Sequence, residues 1–119
     1  MRFTLAFLAL LVGISTARAD AGAMGMGTDS CANFGKNHQH DPQNIEAEYF
    51  TWAQGFMSGM NLVVKAIKHR NRSMDGMPLA DQQRIIRQFC EEHPLSNYLS
   101  AVIELMDKLP LSPETTPPN

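Results

Sequence analysis

The sequence lacks four things: an apolar run long enough to span a membrane, an excess of positive charge, an alternating strand pattern, and a motif for nucleophilic or phosphate chemistry. The uncharged stretch from Phe3 to Ala17 has 15 residues, short of the ~20 that a spanning helix needs. Ten basic residues face twelve acidic ones, a formal charge of −2. That balance excludes general nucleic-acid binding, which needs concentrated positive charge. Without strand-like alternation or an internal repeat, the reading is all-α. Neither a glycine-rich phosphate loop nor a Ser-His-Asp arrangement can be placed. The carboxylate pairs Glu46/Glu48 and Glu91/Glu92 sit one or two positions apart, so neither pair shares a helix face. The expectation is a protein that binds rather than catalyses, not an enzyme and with no cofactor.

What is present begins with an export signature. Arg2, the apolar run Leu5 to Ile14 and the small-x-small triplet Ala17-Arg18-Ala19 predict a cleaved signal peptide over residues 1–19. Position 20 is Asp, so a lipid anchor would have no cysteine acceptor there. Loss of Arg2 and Arg18 would leave eight basic against twelve acidic residues, a formal charge of −4. The expected location is the periplasm, in soluble form. Of two cysteines, an even count in an oxidising compartment predicts an internal Cys31–Cys90 bridge. Two free thiols or an intermolecular bridge are the alternatives. An internal bridge would close a loop worth ~4 kcal/mol in the chain-entropy account.

Along the chain, residues 20–28 (DAGAMGMGT) read as a disordered leader. Thr28 or Asp29 can cap a short helical turn that holds Cys31 and Phe34 and ends at Gly35. KNHQH reads as a polar loop, closed by Asp41-Pro42 as a cap with proline at the first helical position. A long helix is predicted over about Gln43 to His69, with Tyr49, Trp52, Phe56, Met60, Val63 and Ile67 as one apolar stripe. Gly55 and Gly59 lie one turn apart beside that stripe. Glycine costs ~1 kcal/mol against alanine inside a helix, so the pair predicts a closely packed neighbour. The cations Lys65, Lys68, His69, Arg70 and Arg72 suit that helix's C-terminal dipole. A second helix is expected over Leu79 to Glu92, with Cys90 facing inward beside Ile86, and is ended by Pro94. A third, capped by Ser96, carries Leu95, Leu99, Val102, Met106 and Leu109 before Pro110. Residues 110–119 read as a disordered tail. The domain, residues 29–109, is thus expected to be a small single-domain bundle of three main helices plus a short N-terminal helical turn, with one disulfide.

Two chemistries compete with binding. Cys90 and His93 are three residues apart, but the acids Glu91 and Glu92 would raise a thiol pKa rather than lower it. Met24, Met26, His38 and His40, with Met74 and Met77, are soft or imidazole donors that suit copper. A periplasmic copper-binding protein is therefore an alternative.

The early cysteine in CANF, the helix WAQGFMSGMN, and FCEEHPLSNYLSAVIELM resemble the HdeA/HdeB-type periplasmic acid-stress chaperones. The resemblance spans roughly residues 29–109. It implies that Cys31 and Cys90 form the family's bridge, and that Gly55 and Gly59 make its tight helix contact. It also implies unfolded proteins as partners and allows a homodimer. The same outline resembles, through His93-Pro94, the Tai-type immunity proteins of type VI secretion, which implies one secreted effector as partner. Tyr49, Trp52, Gly55, Phe56, Gly59 and Met60 are the expected packing and binding face.

Overall fold

The computed structural model describes residues 22–68 and 70–113. The predicted signal peptide, Asp20, Ala21, His69 and residues 114–119 lie outside the described residues. Four α-helices follow a short 3-10 turn at Gly25–Thr28: α1 (Cys31–His40), α2 (Pro42–Lys68), α3 (Leu79–Glu92) and α4 (Tyr98–Lys108). There are no strands among the described residues, only two isolated bridges, Ser30 with Asn97 and Arg72 with Leu111. The all-α reading holds, with one more full helix than expected. Cys31 and Cys90 are disulfide-bonded.

The extra helix is α1. Its cap is Ser30, whose hydroxyl accepts from the Asn33 amide at 3.1 Å. Two further amides that the first turn leaves orphaned donate to the loop before α4: Cys31 to the Ser96 carbonyl and Ala32 to the Pro94 carbonyl. Helix α1 therefore starts on tertiary contacts and does not stop at Gly35. It continues through the segment expected as a polar loop, because Phe34 is buried and His38, one turn on, packs its ring against Phe34 at 5.7 Å. Asp41 then breaks the helix and caps α2, its carboxylate accepting from the Asn44 amide and side chain, with Pro42 at the first position as expected.

Helix α3 has the expected bounds. Helix α4 is capped by Asn97 rather than Ser96, its side-chain oxygen accepting from the Ser100 amide at 2.9 Å. Leu95, placed in the expected apolar line, is 96% exposed. The line that is buried runs through Tyr98, Ala101, Val102, Leu105 and Leu109. Phe34, Tyr49 and Tyr98 form the centre of the core, each pair of ring centroids about 5 Å apart. Tilted aromatic pairs at this range add ~0.5–1.5 kcal/mol each beyond area burial.

Two segments expected to be disordered are structured where described. Residues 25–28 form the 3-10 turn, which lies on α2 and α4, and Gly27 is buried beneath the Trp52 ring. Any side chain at 27 would occupy the ring's place, which is why a composition that looks featureless is needed there. Residues 110–112 of the tail pair with the loop after α2: Ser73 donates to the Pro110 carbonyl at 2.7 Å, and Ser112 to the Asn71 carbonyl at 2.8 Å. That loop is also held by Asn61, which both donates to and accepts from the Arg72 backbone. Gln82 secures its other end, donating to the Met74 and Met77 carbonyls.

The glycine expectation on α2 is overturned. Gly55 and Gly59 have no neighbouring heavy atom within 4 Å of where a side chain would begin, and both are exposed. The buried positions on α2 are Tyr49, Phe50, Ala53 and Met57. Phe50, Ala53 and Met57 each fall one residue after Tyr49, Trp52 and Phe56, so the core-facing stripe is turned away from the glycines. At 1.5 Å per residue α2 is ~40 Å long, well beyond the reach of its 10-, 11- and 14-residue neighbours. The overhang follows from that mismatch of lengths.

Candidate functional site

The second half of the expected apolar stripe faces a surface rather than a core. Trp52 and Phe56 are half-buried, their rings stacked 5.6 Å apart and 9° from parallel. The indole Nε1 donates to the Met24 carbonyl at 3.0 Å, so the N-terminal segment holds the ring's edge. Met60, Val63 and Ile67 are 38%, 54% and 71% exposed. Between α2 and α4 runs a groove in two joined parts that share Phe56, Met60 and Ile103. The first part, about 750 Å³, has Met24, Trp52 and Gly55 on its wall. The second, about 510 Å³, adds Val64 and Met106, and ends among Lys68, Arg70 and Arg72. Its size and largely apolar lining are those of a ligand or peptide site.

Of the expected face, Trp52, Gly55, Phe56 and Met60 meet in this groove. Tyr49 does not. Its ring is core, and its hydroxyl donates to Asp29. Burial, with the Asp29 bond and charge, pushes the Tyr49 phenol up to about 12. Gly59 lines neither part of the groove.

A second feature escaped the sequence reading. Glu46, set aside because its neighbour Glu48 cannot face it, joins three elements. Its Oε2 accepts from Arg87 of α3 and lies 3.0 Å from His38 Nε2 of α1. Its Oε1 is buried without a hydrogen-bond partner, as is the Tyr98 hydroxyl of α4. Burial, and then the Glu46 charge, push the Tyr98 phenol far above its ordinary range. The spacing Glu46–Phe50–Ala53–Met57 places this carboxylate on the buried side of α2, a signal visible once the core stripe is drawn through Phe50 rather than Trp52.

The copper donors do not converge. Met24 is exposed at the groove, and His38 is occupied with Glu46 in the hollow beside the disulfide, a different surface. His40 is exposed, whereas Met26, Met74 and Met77 pack against the core. Among the described residues no group of three or more His, Cys, Asp or Glu side chains is placed to hold a metal ion. Cys90 is committed to the disulfide, so no Cys90–His93 nucleophile is formed. No helix among the described residues is long and apolar enough to cross a membrane. No protein-family model, curated protein or solved structure matches this chain.

Proposed function

We propose that this protein is an exported, non-catalytic binder of unfolded polypeptides whose helices loosen in acid, as in the HdeA-like chaperones it resembles. The observation that carries the reading is Glu46. One half-sealed carboxylate ties two other helices to α2, pairing with Arg87 of α3 and hydrogen-bonding to His38 of α1. When it is protonated, both attractions vanish and two positive groups remain beside each other. The apolar surfaces of α1, α2 and α3 then separate, while the Cys31–Cys90 bond keeps α1 and α3 tied. The apolar faces so released are the client-binding surface.

The test is suppression of aggregation of unrelated acid-denatured proteins at about pH 2–3, where carboxylates are protonated. Activity is expected there and absent at neutral pH. Glu46→Gln, which imitates the protonated carboxyl, should carry activity to a higher pH. A pH profile identical in both proteins, or no suppression at any pH, refutes the proposal. Tight capture of one partner at neutral pH with no suppression would instead mark an effector-binding immunity protein.

A further inference from the structure

The groove between α2 and α4 is open before any acid loosening, and its two ends differ in kind. From Trp52 to Val64 its floor and walls are largely apolar, Asn61 being the polar exception, with Phe56, Met60, Ile103 and Met106 as the principal contacts. At 1.5 Å per residue that stretch of α2 is ~18 Å long. A bilayer's hydrocarbon core of ~30 Å is two acyl chains end to end, so one chain needs ~15 Å. Beyond Val64 the groove ends in three cations. Arg72 is engaged: it donates to the Leu109 carbonyl at 3.0 Å and lies 3.7 Å from Asp107. Among the described residues Lys68 and Arg70 have no ion pair, and the Arg70 Nε is buried with no hydrogen-bond partner. Asp107, the acid at this end, has a 73% exposed side chain whose nearest cation is Arg72.

From this head-and-tail polarity we infer that the groove binds a single-chain anionic amphiphile, a long-chain fatty acid. Its carboxylate sits at Arg70 and Lys68, and its chain runs towards Trp52. The carboxylate supplies the acceptor that the buried Arg70 nitrogen lacks. The chain covers Met60 and Phe56, which α4 leaves partly bare. An amphipathic peptide helix fits less well, because its charges would be spread along its length rather than gathered at one end. This site goes beyond the binding of unfolded clients and stands independently of it, since it is formed in the closed protein.

Trp52 is the sole tryptophan of the chain, so its emission reports on the tail end of the groove. At neutral pH and below the micellar concentration, palmitate brominated near its terminal carbon should quench Trp52 more strongly than palmitate brominated beside the carboxylate. Arg70→Gln combined with Lys68→Gln should weaken palmitate binding about tenfold, the scale of a lost charge-assisted contact. A cationic surfactant of equal chain length should bind more weakly than palmitate to the unaltered protein. Equal quenching from both bromine positions, equal binding of the cation, or binding of an acidic amphipathic peptide without palmitate would overturn the inference. Because these readouts are taken at neutral pH, they can fail while acid-dependent suppression of aggregation succeeds, and the reverse.

Discussion

The two halves of α2 are built from similar residues and meet opposite fates. Residues 42–57 carry Tyr49, Phe50, Ala53 and Met57 into the core and Glu46 into a three-helix clasp. Residues 58–68 carry Met60, Leu62, Val63 and Ile67, all exposed. Apolar content does not separate the halves. What does is the supply of partners: among the described residues α1, the N-terminal turn and Tyr98 of α4 cover the first half, whereas the second meets Ile103 and Met106 of α4 across an open groove and the loop after α2 through Asn61. An apolar periodicity therefore marks a face that can be buried, and the lengths of neighbouring elements decide whether it is.

The largest effect that would break this contrast is loss of the disulfide. Replacing both cysteines by alanine should cost ~4 kcal/mol for a separation of 59 residues. Hydrogen exchange at residues 42–57 should then rise towards that of residues 58–68, because the bond holds α1, which packs on that first half, to α3. Equal protection before and after would show that the clasp and core suffice without it.

Next in size is a pair of truncations. Met57→Ala, at a fully buried position, should cost ~2–5 kcal/mol in chemical denaturation. Ile67→Ala, at a position 71% exposed, should stay within about 0.5 kcal/mol. Similar losses at both sites would place the second half in a hidden interface.

The glycines sharpen the contrast further. Gly27→Ala would drive a methyl group into the Trp52 ring and should destabilise by ~1–3 kcal/mol as an overpacked site. The shift of Trp52 emission is its direct readout. Gly59→Ala has open space and a helical backbone, so it should stabilise by up to ~1 kcal/mol. A loss at Gly59 would restore the close helix contact that the sequence suggested.

The last effect is nil at neutral pH. Tyr49 lies in the covered half and its phenol is raised from 10.0 to about 12. Below pH 10 it is neutral in both folded and unfolded chains, and its contribution is whole. As pH climbs from about 10 to about 12 the unfolded chain releases the proton first, so stability falls across that window. Thermal unfolding against pH should show the decline, and Tyr49→Phe should flatten it. The Tyr98 phenol shifts in the same direction, so a residual slope in that variant belongs to Tyr98.

Legibility varied along the chain for physical reasons. Helix α3 was readable to the residue because Pro78 and Pro94 bracket a strongly two-faced segment. The span of α2 was readable for the same reason, from Asp41-Pro42 to the cluster of cations. Helix α1 was not, since Gly35 and the polar run after it argue against a helix, and the outside support for its first turn comes from Ser96 and Pro94, over sixty residues away. Trp52, Phe56 and Met60 were correctly singled out as a face, but their role as a groove wall depends on Ile103 and Met106 of α4. Glu46 was missed because its value lies in Arg87, 41 residues away, and in His38, which lies across the helix break at Asp41 in a segment expected as a loop.

Local order determined that this chain would be helical, where most of its helices would begin and end, and that two inward-facing cysteines were available to be joined. Those follow from periodicity, caps and prolines, which act over a few residues. Tertiary structure alone decided which side of α2 became core, which glycines sit against a neighbour, and where a carboxylate meets two cations. Each of these depends on contacts between segments distant in sequence, and a pattern of period 3.6 carries no information about what stands opposite it.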